Sequence, residues 1–224
     1  MASILNINTA FETASVILSV DGEIIAEEQS HSQKTHASFL EPAIKKVCSD
    51  AHVHLKTINA VSVVNGPGSY TGLRVGLASA KALCYALEKP LILLNTLDVM
   101  AHALAEQSLI KPEDFLYCPL IDARRMEVFT ALYDKNLSVV KAPFAEILDM
   151  HFLEKERENT SIITGGSGSM KLQEILHKEN IVYINPLFLS KPAVILSRQA
   201  YISEKFSNVA YSEPFYLKPV YFRK

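Results

Sequence analysis

Asn65-Gly66-Pro67-Gly68-Ser69-Tyr70-Thr71-Gly72-Leu73-Arg74-Val75-Gly76-Leu77 joins an apolar, β-branched run, Ala60-Val61-Ser62-Val63-Val64, to an Ala- and Leu-rich segment ending near Glu88. The first run reads as a buried strand and the second as a helix, so the stretch is a strand–glycine loop–helix junction. Four of the chain's eight glycines lie in it, which marks a backbone under special demands. A phosphate cradle is one reading, because helix N-termini attract anions. The spacing matches neither standard version. No Gly-Lys pair follows the first glycine as a Walker loop needs, and Thr71 stands where the dinucleotide fingerprint needs its third glycine. The plainer reading is a tight turn leading into a closely packed helix.

Within that helix Gly72, Gly76, Ala80 and Cys84 recur every fourth residue, with Ser79 and Leu83 beside them. Such a stripe lets another backbone approach closely. Two helical glycines cost about 1 kcal/mol each against alanine, so close packing has to compensate. With Leu40, Ala43 and Ile44 of the preceding helix, the residues Gly72, Leu73, Gly76, Ser79, Ala80 and Leu83 are expected to form a surface for a homologous subunit. The alternative is that the stripe faces the chain's own sheet.

Composition sets the outer limits. At 224 residues the chain can bury a substantial core. Its net charge of −2 and lack of a basic tract disfavour gripping nucleic acid unaided. Cys48, Cys84 and Cys118 are odd in number and far apart, neither a disulfide framework nor a zinc pattern, which suits a reducing cytoplasm. No signal peptide or membrane span is expected.

In chain order, residues 3–9, 14–20 and 23–29 read as an antiparallel meander with a turn at Asp21-Gly22. A helix follows from Ser38 to Ser49, then a strand at 60–65, a helix at 72–88, a strand at 91–94 and a helix from Thr96 to about residue 107. This βββαβαβα order is that of a ribonuclease-H-like lobe, also found in actin-type kinases. A second, shortened copy is expected beyond it: strands at 115–121 and 127–133, a third at 139–142, a helix at 144–158, a strand at 161–164, a helix to about Lys178, a last helix at 192–206, and a strap from Tyr211. The domain division is 1–108 and 109–224.

The sequence resembles the TsaB (YeaZ) family, subunits of the bacterial machinery that makes threonylcarbamoyladenosine in tRNA. The resemblance rests on Gly66–Leu77, and on Ile4–Thr9 with Ala14-Ser15-Val16, Asp122-Ala123-Arg124-Arg125-Met126-Glu127-Val128, and Glu213–Pro219. It implies two actin-like lobes, the second reduced. It implies a non-catalytic cytoplasmic subunit that pairs with TsaD and with the ATPase TsaE, reaches tRNA only through that complex, and forms a homodimer when alone. No cofactor is expected for this chain itself; ATP and a metal belong to the partners.

Where actin-like ATPases use an aspartate on the first hairpin, this chain has Asn8, which lacks the charge that magnesium binding wants. Asn8, Thr9, Gly165, Gly166 and Gly168 are therefore at most vestigial nucleotide contacts, and the plainer reading is turn caps. His31, His36, His52, His54, His102, His151 and His177 show no helical i, i+4 pair, unlike the paired-histidine metal motif of TsaD. Gly166-Ser167-Gly168 is not a Gly-x-Ser-x-Gly elbow. An independent actin-like hydrolase or kinase is the alternative class, a glycoprotease-like peptidase is third, and a self-associating scaffold unrelated to tRNA a further reading. Asp122, Arg124, Arg125 and Glu127 form a charged turn whose role the sequence leaves open.

Overall fold

The computed structural model describes residues 2–32, 36–109, 112–158, 160–176, 180–185 and 187–218. His177 and Pro219 lie outside them. The described residues of Met1–Thr96 and Ser190–Phe215 form one compact unit, and those of Leu97–Leu189 and Tyr216–Lys224 a second.

In the first unit β1 (Ser3–Asn8), β2 (Ala14–Val20) and β3 (Glu23–Ser30) form an antiparallel meander. Asp21 and Gly22 at its tip both have positive φ, as the sequence reading required. β4 (Ala60–Gly66) then pairs parallel with β1, and β5 (Leu91–Asn95) parallel with β4, giving the order β3-β2-β1-β4-β5. Parallel neighbours need crossovers, which α1 (His36–Asp50) and α2 (Tyr70–Leu87) supply. Leu40, Ala43, Ile44 and Val47 of α1 and Leu77, Ala80 and Cys84 of α2 share one core with Leu5, Ile7, Val61 and Val63 of the sheet. Pro42 sits inside α1 and removes one backbone donor.

The second unit repeats the plan. β6 (Phe115–Asp122), β7 (Glu127–Tyr133) and β8 (Val139–Ile147) are antiparallel, while β9 (Ser161–Gly165) and β10 (Ile181–Ile184) run parallel, in the order β10-β9-β6-β7-β8. Both sheets thus have the ribonuclease-H-like order, and the fold is α/β with two actin-like lobes. The reduction of the second lies in its helices. Its crossovers α4 (Glu154–Arg157) and α5 (Ser169–Ile175) are short beside α1 and α2, but its strand count is full.

Two expectations are corrected here. The stretch 144–158 is strand up to Ile147 and helical only at Glu154–Arg157, because Phe129 to Glu127 draw Ala145 to Ile147 into the ladder. Helix α3 (Thr96–Gln107) belongs from Leu97 onward to the second unit, and α6 (Ser190–Ile202) returns to the first, so the division at 108/109 separates each helix from the sheet it covers. Tyr133 Oη donates to Asp98 Oδ1 at 2.7 Å and fastens α3 to β7. Burial, with the Asp98 charge, pushes the Tyr133 phenol well above its ordinary range.

One prediction arises from α3. Burial holds the His102 imidazole below its ordinary 6.5, against the opposing pull of Asp98. The unfolded chain therefore takes up this proton first as pH falls, so His102 leaves stability intact above about pH 6.5 and erodes it below. The melting temperature should fall from pH 7 to pH 5, and His102→Gln should flatten that decline. Parallel pH profiles for the two proteins would contradict this.

Candidate functional site

The glycine loop opens at the end of β4 and is closed by its own chain on both sides. Ser69 caps α2, its Oγ accepting from Gly72 N at 3.2 Å, and Ser69 N donates to Ala10 O at 2.8 Å. Thr9 Oγ1 donates to Gly72 O at 2.7 Å. The β1–β2 turn therefore lies directly on the first turns of α2. A Cβ built on Gly72 would stand 2.0 Å from Thr9 O, and one on Gly76 2.2 Å from Thr9 Oγ1. On the other side the strap expected from the sequence is present, with Phe215 N donating to Asn65 O at 2.8 Å. Gly66 has φ +126°, and its missing Cβ makes room for Phe215 O.

This geometry corrects the expected partner surface. Gly72, Leu73, Gly76 and Ala80 of α2 and Leu40, Ala43 and Ile44 of α1 are buried against the chain's own sheet, while Ser79 and Leu83 are half-buried. The compensation for two helical glycines is internal: they admit Thr9. The outward face of α2 is Thr71, Arg74, Ala78, Ala82, Tyr85 and Ala86, and Tyr85 is 85% exposed. Arg74 at the edge of this face stacks on Tyr70, and Lys81 beside it is half-buried and donates to Ala210 O and Ser212 O; Ala78, Ala82, Tyr85 and Ala86 carry no charge. Solvated helix faces are usually polar, so an exposed run of alanine and tyrosine stands out. Its signal in the sequence is a second i, i+4 series, Arg74, Ala78, Ala82 and Ala86, which the glycine stripe masks.

The candidate nucleotide contacts fall in separate units. Asn8 Oδ1 accepts from Ala10 N at 3.0 Å, so the amide closes the hairpin turn. Gly166 N donates to Asn185 Oδ1 at 3.1 Å and Gly166 O accepts from Ser169 Oγ at 2.7 Å. A Cβ on Gly165 would meet Ile184 O at 2.2 Å, and Gly168 N donates to Leu120 O at 3.0 Å, so this loop is a tight strand-to-helix turn.

Three of the histidines are similarly occupied. His36 Nε2 pairs with Glu12 O, His54 Nδ1 accepts from Lys56 N, and His151 meets Glu154. Burial pushes the Cys84 thiol to about 11 and the Cys118 thiol to about 12, which makes both inert core groups at neutral pH. Among the described residues, no group of three His, Cys, Asp or Glu side chains is placed to hold a metal ion, and no helix is long and apolar enough to cross a membrane.

Similar proteins agree with this fold along most of its length. A family profile described as "TsaD: tRNA N6-adenosine threonylcarbamoyltransferase" matches residues 23–212. The tRNA threonylcarbamoyladenosine biosynthesis protein TsaB of Bacillus subtilis is 29% identical over 77% of this chain and 75% of its own. The TsaB of Haemophilus influenzae is 25% identical over 96% and 93%. A Bartonella henselae tRNA N6-adenosine threonylcarbamoyltransferase is 48% identical over 71 residues, which is 32% of this chain and 19% of that one. The solved YeaZ of Pseudomonas aeruginosa superposes with TM-score 0.78 at 19% identity, covering 97% of this chain and all of that one. The chain therefore belongs to the TsaD family and, within it, to the TsaB (YeaZ) proteins.

Proposed function

We propose that this chain is a non-catalytic subunit for forming N6-threonylcarbamoyladenosine in tRNAs that read ANN codons, and that it pairs with a TsaD-like transferase through the outward face of α2. What supports the role is kinship with proteins named for this biosynthesis over most of the chain. The observation that carries the pairing is the uncharged outer stripe Ala78, Ala82 and Tyr85, alongside the neighbouring helix α1. The occupant follows from shared architecture. A transferase of the same family has a segment 48% identical to this chain, and homologous helix pairs can meet about a pseudo-twofold axis as a four-helix bundle. The same face serves a homodimer when the chain is alone, so the two assemblies compete. A TsaE-like ATPase joins the pair, and tRNA is reached through the assembly in the cytoplasm. The chain needs no cofactor of its own in this reading, since Thr9 and Ala10 occupy the glycine loop where an anion would sit.

Ala82→Arg tests the surface. A charge placed among alanines at a desolvated interface is costly, so capture of the TsaD-like partner by the full chain should fall at least about tenfold. The substitution is solvent-exposed, so the melting temperature should stay within a degree or two. Undiminished capture by a folded Ala82→Arg protein would place the interface elsewhere.

A further inference from the structure

The turn between β6 and β7 combines two features that local stability alone does not favour. Arg124 and Arg125 are consecutive, exposed and both at positive φ, +71° and +50°. Glycine and asparagine occupy that region far more readily than arginine, so the chain tolerates strain to keep two arginines here. The turn is held in place by its surroundings. Ala123 N donates to Glu127 O at 3.0 Å, Glu127 N to Arg124 O at 3.1 Å, and Arg124 N to Asp122 Oδ1 at 2.7 Å. Asp122 N in turn donates to Ser167 Oγ at 3.0 Å.

The second feature is the way charge is shared out. The turn holds two acids and two arginines, and the ordinary arrangement would pair them. Instead both acids are taken by lysines from elsewhere in the unit. Lys171 Nζ of α5 lies 2.6 Å from Asp122 Oδ1 and also donates to the Arg125 carbonyl. Lys218 of the strap pairs with Glu127. Neither guanidinium has a hydrogen bond, ion pair or ring contact among the described residues. The local sum is two positive charges in excess, on adjacent residues, in a chain whose net charge is −2.

We propose that the Arg124–Arg125 turn is a phosphate-binding element, in which two preset guanidinium forks take phosphate oxyanions. Guanidinium matches phosphate in a planar, bidentate way that lysine does not. Lysines neutralise the acids here, and the forks are left for a ligand. The phosphates belong either to an RNA backbone or to a free nucleotide. This inference stands apart from the proposed pairing through α2, because it concerns the second unit.

The test uses the full chain and the double variant R124N/R125G. These residues suit positive φ and delete both forks while keeping every backbone hydrogen bond of the turn, so the melting temperature should hold or rise. The probes are a fluorescent, unmodified tRNA transcript reading an ANN codon, titrated between 50 and 200 mM KCl, and ATP. If the phosphates are RNA, the variant should bind the transcript about tenfold more weakly. The slope of log K against log salt should become shallower by roughly 1.5, as expected for two lost phosphate contacts. If they belong to a nucleotide, ATP affinity should fall instead, with transcript binding unchanged. R124K/R125K, which keeps charge but not the fork, should recover only part of the loss. Equal binding of both probes by the variant and the parent, or no binding of either by the parent, overturns the inference. Failure of the α2 pairing or of the role in tRNA modification would leave these outcomes unaffected.

Discussion

Gly76→Leu should give a protein that either does not fold or melts about 4–16 °C below the parent, while Ala78→Leu, two residues away, should melt within a degree or two of it. The same side chain is added to opposite faces of α2. At Gly76 the Cβ itself would stand 2.2 Å from Thr9 Oγ1, with Val63 Cγ2 at 3.5 Å, so no leucine rotamer relieves the clash. Room appears only if the Thr9 side chain turns about its χ1 or the β1–β2 turn withdraws, and either breaks the Thr9–Gly72 hydrogen bond of 2.7 Å. Overpacking of this kind costs about 1–3 kcal/mol or more, and the lost hydrogen bond about 1 kcal/mol further. At about 2–4 °C per kcal/mol for a chain of this size, the sum reaches the stated shift. Ala78 is exposed, and an added leucine there meets solvent. Differential scanning calorimetry of both variants separates the faces. Equal melting temperatures would mean that the glycine face is not packed as described.

This pair of substitutions also shows what the sequence held and what it did not. The first unit was legible element by element. Its strands alternate with helices of clear periodicity, and Asp21-Gly22 marks the hairpin turn. Thr96 opens α3 as expected, but its buried Oγ1 has no hydrogen-bond partner among the described residues and so does not cap the helix. The second unit was less so. Pro143 and Phe144 break the strand pattern of β8, and the mixed charges from Glu154 to Glu158 extended an apparent helix that amounts to one turn. Ile181–Ile184 is too short to announce itself as a strand until β9 pairs with it. The exchange of α3 and α6 is a tertiary matter that periodicity does not encode.

The candidate site was half legible. That α2 presents small residues was plain from Gly72 and Gly76. Which side of α2 faces the sheet was not, because alanines recur on the outer face at the same spacing. The deciding contact is Thr9, 63 residues from Gly72 in sequence. The charged turn at Asp122–Glu127 was visible, but that lysines from α5 and the strap would take both acids depended on chain far from it.

The second large effect concerns the cell, and it tests the central claim that this chain serves tRNA modification by holding a partner rather than by catalysis. Depleting the protein should remove the threonylcarbamoyl group from tRNAs reading ANN codons. Nucleoside mass spectrometry of bulk tRNA should show N6-threonylcarbamoyladenosine falling at least about tenfold, with unmodified adenosine rising to match. The parent chain should restore it, and so should Asn8→Ala, whose side chain only closes a turn. Ala82→Arg, present at the parent's level, should not. An unchanged amount of N6-threonylcarbamoyladenosine after depletion would contradict the account outright, and full restoration by Ala82→Arg would contradict the pairing through α2.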